Sequence, residues 1–183
     1  MARAREEKFR DLLDDYGILR PGALVEPEPS SAFTVFAQRK NSMLEADLWQ
    51  RHASRFFDAQ IRFTVPKQYV FDPPASDAAE VVIATPTRPE ATRLCFARPR
   101  TEDDLFVAED LDRRAGGTGL GLLARRCPTV WLVRVEEEHD SAALRIAAVV
   151  ASVVLGPIFS PGGVELFGVR TARSKLESGT PYR

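Results

Sequence analysis

Four of the eleven glycines fall between Gly116 and Gly121, inside the stretch RRAGGTGLGLLARRC (Arg113 to Cys127). Glycines at that density let backbone N–H groups converge on one point, and a helix starting behind them adds the positive end of its dipole. Together these hold phosphate groups well. Arg114, Gly117 and Gly119 are the residues placed to do so. The acidic run Glu136 to Asp140, with His139 inside it, carries groups that suit a metal ion. Adjacent side chains on an extended segment point to opposite faces, so few of the five would converge. Negative charge just ahead of a helix N-terminus explains the run structurally. With two histidines in the chain no histidine-rich metal site is expected. His52 lies in a charged segment and is expected to face solvent. Cys95 and Cys127 are too few for a disulfide framework or a four-thiolate zinc site, and their apolar neighbours mark them as buried free thiols. A serine–histidine or cysteine–histidine pair built from distant residues stays open, but no G-x-S-x-G or G-x-x-x-x-G-K-[ST] signature is present.

Three readings of the glycine turn follow. Arg114-x-x-Gly117-x-Gly119 resembles the R-x-x-G-x-G signature of the GCN5-related acetyltransferase family. That resemblance covers residues 105–148 and implies an acyl-CoA-dependent N-acyltransferase, with the turn holding the pyrophosphate of acetyl-CoA. LFVAEDLDRR would then be a strand entering the turn, LGLLARR the helix behind it, and TVWLVRV the next strand. The chain departs from the pattern in three places: the helix Leu120 to Arg126 is about a turn short; the helix from Ala142 lacks the tyrosine that often acts as general acid, since Tyr16, Tyr69 and Tyr182 lie elsewhere; and TEDDLFVAEDLDRR fits a capped helix as well as a strand. Gly117 to Leu122 also resembles the GTGLGL box of histidine-kinase-type ATPases. The family's magnesium-binding asparagine helix and D-x-G-x-G loop have no counterpart, for the single asparagine, Asn41, precedes a different segment. In the third reading no ligand is needed: Gly116-Gly117 stops one helix, and Gly119 and Gly121 let a second, short helix pack closely against the sheet.

The elements around these groups can be read from periodicity. Phe9, Leu12, Leu13 and Tyr16 recur at helical spacing among charges, so residues 3–16 suggest an amphipathic helix, and EPEPSS reads as a tether. Residues 33–40 alternate like a half-buried strand, and residues 43–59 suit a helix with Leu44, Leu48 and Phe56 on one side. Residues 61–71 return to period two, with Pro66 at an edge or bulge. Residues 80–85 and 92–97 form an antiparallel hairpin. Thr101 and Asp104 make a capping box for a helix that stops at Gly116, and Thr118 can cap the short helix after it. TVWLVRV is the strongest strand. AALRIAAVVASVVL, apolar nearly all round, must be buried. Val164 to Arg170 reads as a last strand, followed by a frayed tail.

The chain of 183 residues is 44% hydrophobic and 28% charged, with a net charge of −1. It is large enough for one full domain. The expected fold is a two-layer α+β domain, with a mainly antiparallel sheet of five or six strands packed on helices that include a buried apolar helix near 141–155. Residues 1–31 form the helix and tether, 32–172 the domain, and 173–183 the tail. Near-zero charge leaves no footprint for nucleic acid. Four lysines against many arginines, alanines and prolines fit a bacterial-type, GC-rich coding bias. The start of the chain has no secretory h-region. Ile146 to Phe159 is too short to span a membrane and is broken by Gly156-Pro157. A soluble cytoplasmic protein is expected, without metal or cofactor, that binds another protein or itself through Phe9, Leu12, Leu13 and Tyr16. The alternative is the acyltransferase with acetyl-CoA at Arg114, Gly117 and Gly119.

Overall fold

The segment AFTVFA is the most thoroughly buried strand of the protein, and the sheet is built around it. In a computed structural model, residues 26–38, 44–64 and 78–179 are described. The partner-binding residues Phe9, Leu12, Leu13 and Tyr16, and the stretch from Pro66 to Phe71, lie outside them. The strands are β1 (Ala32–Ala37), β2 (Gln60–Thr64), β3 (Ala78–Thr85), β4 (Arg88–Pro99), β5 (Thr129–Arg134), β6 (Ile158–Phe159) and β7 (Leu166–Phe167). Their order is β2-β3-β4-β5-β1-β6-β7, and every described pairing is antiparallel. The α+β class with an antiparallel sheet is as expected; among the described residues the strands number seven rather than five or six.

The helices are α1 (Ala46–Phe57), α2 (Glu102–Arg114), α3 (Leu120–Arg125), α4 (Ser141–Val154) and α5 (Val169–Ser178). They cover both faces of the sheet. On one face Phe33, Val35, Cys95, Trp131 and Val133 meet α1, α4 and Ala172 of α5. On the other, Phe36, Val130 and Phe159 meet Ala108 and Leu111 of α2 and Ala124 of α3. This partial third layer explains why all six residues of β1 are buried where alternation suggested half-burial.

Helix α4 is the main covering element, with ten of its fourteen residues buried. It packs against β1, α1 and α5, so its all-round apolar surface finds partners on several sides. It is shorter than a membrane span, and among the described residues no helix is long and apolar enough to cross a membrane. Helix α1 buries Trp49, Ala53 and Phe57 rather than the expected Leu44, Leu48 and Phe56. Trp49 is the largest apolar side chain of the helix and sets its rotation. Its ring stands edge-on to Trp131, 5.0 Å between centroids, a contact worth about 0.5–1.5 kcal/mol beyond area burial. Leu44 and Leu48 are half-buried beside it, and Phe56 turns outward.

Two connections are tighter than their sequences suggest. Strand β4 starts at Arg88, so only Pro86 and Thr87 separate it from β3. After α4 the chain passes β1 so closely that a Cβ on Gly156 would lie 1.7 Å from the Phe36 carbonyl oxygen. There the Phe36 N–H donates to Pro157 O at 3.0 Å.

The C-terminal end corrects two expectations. Only Leu166 and Phe167 join the sheet, and residues 173–178, expected as tail, continue α5. Val169, Ala172 and Leu176 recur at helical spacing. Ala172 is buried and Leu176 packs on the core.

Candidate functional site

The glycine turn lies between α2 and α3, and its conformation follows from how α2 begins and ends. Thr101 and Asp104 form the expected capping box: Thr101 N–H donates to Asp104 Oδ2 at 2.8 Å and Asp104 N–H to Thr101 Oγ1 at 3.2 Å. Arg98 of β4 grips the same carboxylate through two nitrogens, at 2.6 and 2.9 Å. Burial pushes the Asp104 carboxyl up, but these hydrogen bonds outweigh it and hold the group below the ordinary range. The helix is therefore anchored at its start and runs without interruption to Arg114.

At its other end Gly116 and Gly117 take φ of +91° and +75°, a backbone region that glycine enters freely. The chain reverses there, and Gly117 N–H donates to Asp112 O at 2.8 Å. The next amides converge on the Asp112 carboxylate: Thr118 N–H donates to Oδ1 at 2.9 Å and Gly119 N–H to Oδ2 at 3.2 Å. The Thr118 hydroxyl donates to Oδ1 as well. The turn does cradle an anion, and the anion is a side chain of the helix it follows. Asp112 is only 8% exposed. The Thr118 hydroxyl above all, with backbone N–H groups including that of Gly121, holds its carboxyl below the ordinary range against a smaller effect of burial.

Each residue proposed for coenzyme binding is thus accounted for. Arg114 is exposed and pairs with Asp110 at 2.5 Å. The N–H groups of Gly117 and Gly119 are engaged by Asp112. The segment ahead of the turn is helical, where the acyltransferase resemblance needs a strand, and no parallel strand pair occurs among the described residues. The helix–break–helix reading fits, with two refinements. Thr118 stands one residue ahead of the N-cap Gly119, and its hydroxyl accepts from Leu120 N–H, the first of α3, at 3.4 Å. Gly121 admits α2 rather than the sheet, a Cβ there lying 3.1 Å from Asp112 Cβ and 3.2 Å from Glu109 Cα.

The acidic run resolves to one residue. Asp140 is fully buried and caps α4, accepting from Ala143 N–H at 2.9 Å and Glu136 N–H at 3.0 Å. It also pairs with the buried Arg93 of β4. Glu136, Glu137, Glu138 and His139 are exposed, with His139 Nε2 3.7 Å from Glu138 Oε1. Among the described residues no three His, Cys, Asp or Glu side chains are grouped to hold a metal ion.

His52 does not face solvent as expected. Its Nδ1 lies 2.8 Å from Ser152 Oγ, across the contact between α1 and α4. Burial first, then the Arg51 and Arg55 cations, lower its pKa. The Ser152 hydroxyl also donates to Val149 O at 2.6 Å, and the His52–Ser152 pair fastens α1 to α4.

A cleft of about 460 Å³ opens where the end of α1, the β3–β4 turn, α4 and α5 meet. Arg55, Arg145 and Arg173 line it, with Thr85 and Thr87 from the turn. Arg145 Nη1 donates to Phe57 O, the C-terminal carbonyl of α1, at 2.7 Å. Burial and the Arg88 cation lower the Arg145 pKa, against the opposing effect of Asp58. The buried Thr85 Oγ1 has no hydrogen-bond partner. The sequence reading passed over this cleft. Its one available signal was Arg145, the sole charge in SAALRIAAVVASVV, because a lone cation in a buried helix marks the place where that helix meets an opening.

No family model, no curated protein and no solved structure matches this chain.

Proposed function

We propose that the chain is a non-catalytic cytosolic assembly component whose first partner is a second copy of itself. The observation that carries this is the exposure of two large apolar side chains on neighbouring helices: Phe106 of α2 is 70% exposed and Leu122 of α3 is 66% exposed. Burying a side chain of this size contributes about 1.5–3 kcal/mol. The net charge of −1 sets little repulsion between copies. Cys95 and Cys127 are free buried thiols in separate clusters on opposite faces of the sheet, which suits a reducing compartment.

Sedimentation velocity across micromolar to millimolar concentration tests the proposal. Reversible self-association is expected, and Phe106→Ser with Leu122→Ser should return the protein to monomer. The face bearing Phe9, Leu12, Leu13 and Tyr16 is the second candidate surface, and Leu12→Ser with Leu13→Ser is its probe. A wild-type chain that stays monomeric throughout overturns the proposal.

A further inference from the structure

The arginine-lined cleft has the makings of a ligand site independent of any assembly surface. Arg55, Arg145 and Arg173 come from three different helices yet share one opening. The carboxylates on its wall are Asp58 and Glu177. Glu177 is taken up by Arg173 at 2.8 Å. That leaves Arg145 with Asp58, and Arg88 close enough to Arg145 to repel it, while the Arg55 guanidinium lies over the Phe56 ring. Arg88 itself donates to the neutral hydroxyl of Ser141. Among the described residues the positive charge of the cleft is therefore in excess.

A structural role covers part of Arg145, since its contact with Phe57 O puts a cation at the C-terminal end of α1. That bond uses one of the five N–H donors of a guanidinium. Holding a half-buried arginine beside another arginine is unfavourable until an anion arrives. Phe56, Phe57, Pro86 and Leu176 form the apolar part of the wall. The volume falls within the range of small-molecule sites, and polar and charged side chains make up most of the wall.

We propose that this cleft binds a small organic oxyanion, a phosphate ester or carboxylate with a compact apolar body, whose charged head lies against Arg145 and Arg173. Arg145 supplies the fixed fork, and Arg173 exchanges Glu177 for the ligand. Phosphate and carboxylate share this chemistry, so the test carries one probe of each.

Calorimetric titration of the full chain with phenyl phosphate, benzoate and inorganic phosphate is the experiment. Phenyl phosphate or benzoate should bind saturably, and at least about tenfold more tightly than inorganic phosphate, because the apolar body contributes. Arg145→Gln should weaken that binding about tenfold or more, and Arg145→Lys should recover part of it, having charge without the fork. Arg173→Gln, at an exposed position and safe for folding, should weaken it too. Glu177→Gln should tighten it by freeing Arg173, an outcome that a purely structural arginine would not give. Arg125→Gln, on the opposite side of the sheet, should change nothing. No saturable binding of any probe at millimolar concentration, or equal affinity in wild type, Arg145→Gln and Arg173→Gln, overturns the proposal.

Discussion

Asp112 and Thr118 form a closed unit in which one carboxylate oxygen accepts both the backbone N–H, at 2.9 Å, and the hydroxyl of the same threonine. The turn between α2 and α3 is stabilised by an anion six residues upstream rather than by a ligand. Replacing Asp112 with Ala should leave the Thr118 and Gly119 amides unpaired and cost about 1–3 kcal/mol, measured by urea unfolding. The pH dependence has a definite sign. The folded-state pKa of Asp112 lies below its ordinary value, so its stabilisation is complete above about pH 4 and is lost as the pH falls through the folded value. Between about pH 5 and 2, wild type should therefore lose more stability than Asp112→Asn.

The same engagement bears on coenzyme binding. A ligand at a hundred times its dissociation constant raises stability by about 2.7 kcal/mol. Millimolar coenzyme A should give no such rise in a thermal scan. A clear increase in Tm that persists in Arg145→Gln, where the arginine cleft is disabled, would mean that the turn opens and Asp112 gives up its amides.

Asp140 supports α4 and neutralises Arg93 at once. Asp140→Ala should cost about 3–5 kcal/mol, because it strands a buried cation as well as removing a cap. Adding Arg93→Met should recover a large part of the loss in the same denaturation measurement, since an apolar replacement needs no counter-charge. An additive double variant would show that the two residues do not act as a pair.

Gly156 is fixed by sterics alone. Gly156→Ala places a methyl group against the Phe36 carbonyl, and the cost should be about 3 kcal/mol or more. Gly168→Ala, with nothing within 4 Å of the added atom, should stay within about 0.5 kcal/mol. Thermal melts of the two variants make the comparison.

The cysteines report on the two faces of the sheet. Burial pushes the Cys127 thiol up to about 11, against the Arg100 cation, and pushes Cys95 up as well. Neither should react with a thiol reagent at neutral pH while the protein is folded. Cys127, whose Sγ meets Leu123 O under the short helix α3, should be labelled before Cys95, which lies under the large helix layer. Mass spectrometry after timed labelling gives the order.

Much of the fold was legible because its strongest signals were local. The apolar run of α4 with Asp140 ahead of it, the Thr101–Asp104 box and the alternating strands each announce themselves within a dozen residues. What escaped depended on tertiary packing. β1 alternates in sequence, but α2 and α3 cover its second face. His52 sits among charges, but α4 brings Ser152 to it. Val164 to Arg170 has strand composition, but the spacing of Val169, Ala172 and Leu176 belongs to a helix. At the candidate sites, glycine density signalled an anion cradle correctly and left the anion unnamed. The carboxylate that fills it sits in the preceding helix, and nothing in a charged helix separates one aspartate from its neighbours. The arginine cleft draws on three distant helices, a conjunction that no local pattern records.

The central strand β1 comes first among the described strands, yet its neighbours β5 and β6 come late: Ala32 pairs with Arg134, and Val35 with Ile158. During synthesis, then, β2, β3 and β4 emerge as a self-contained meander while β1 has neither of its described partners beside it. Only when residues about a hundred positions downstream leave the ribosome can β1 slot between them. The six apolar-rich residues at the heart of the finished sheet are thus the ones left unattended longest in the nascent chain. A holdase that recognises extended apolar segments would meet its target there, at Ala32–Ala37.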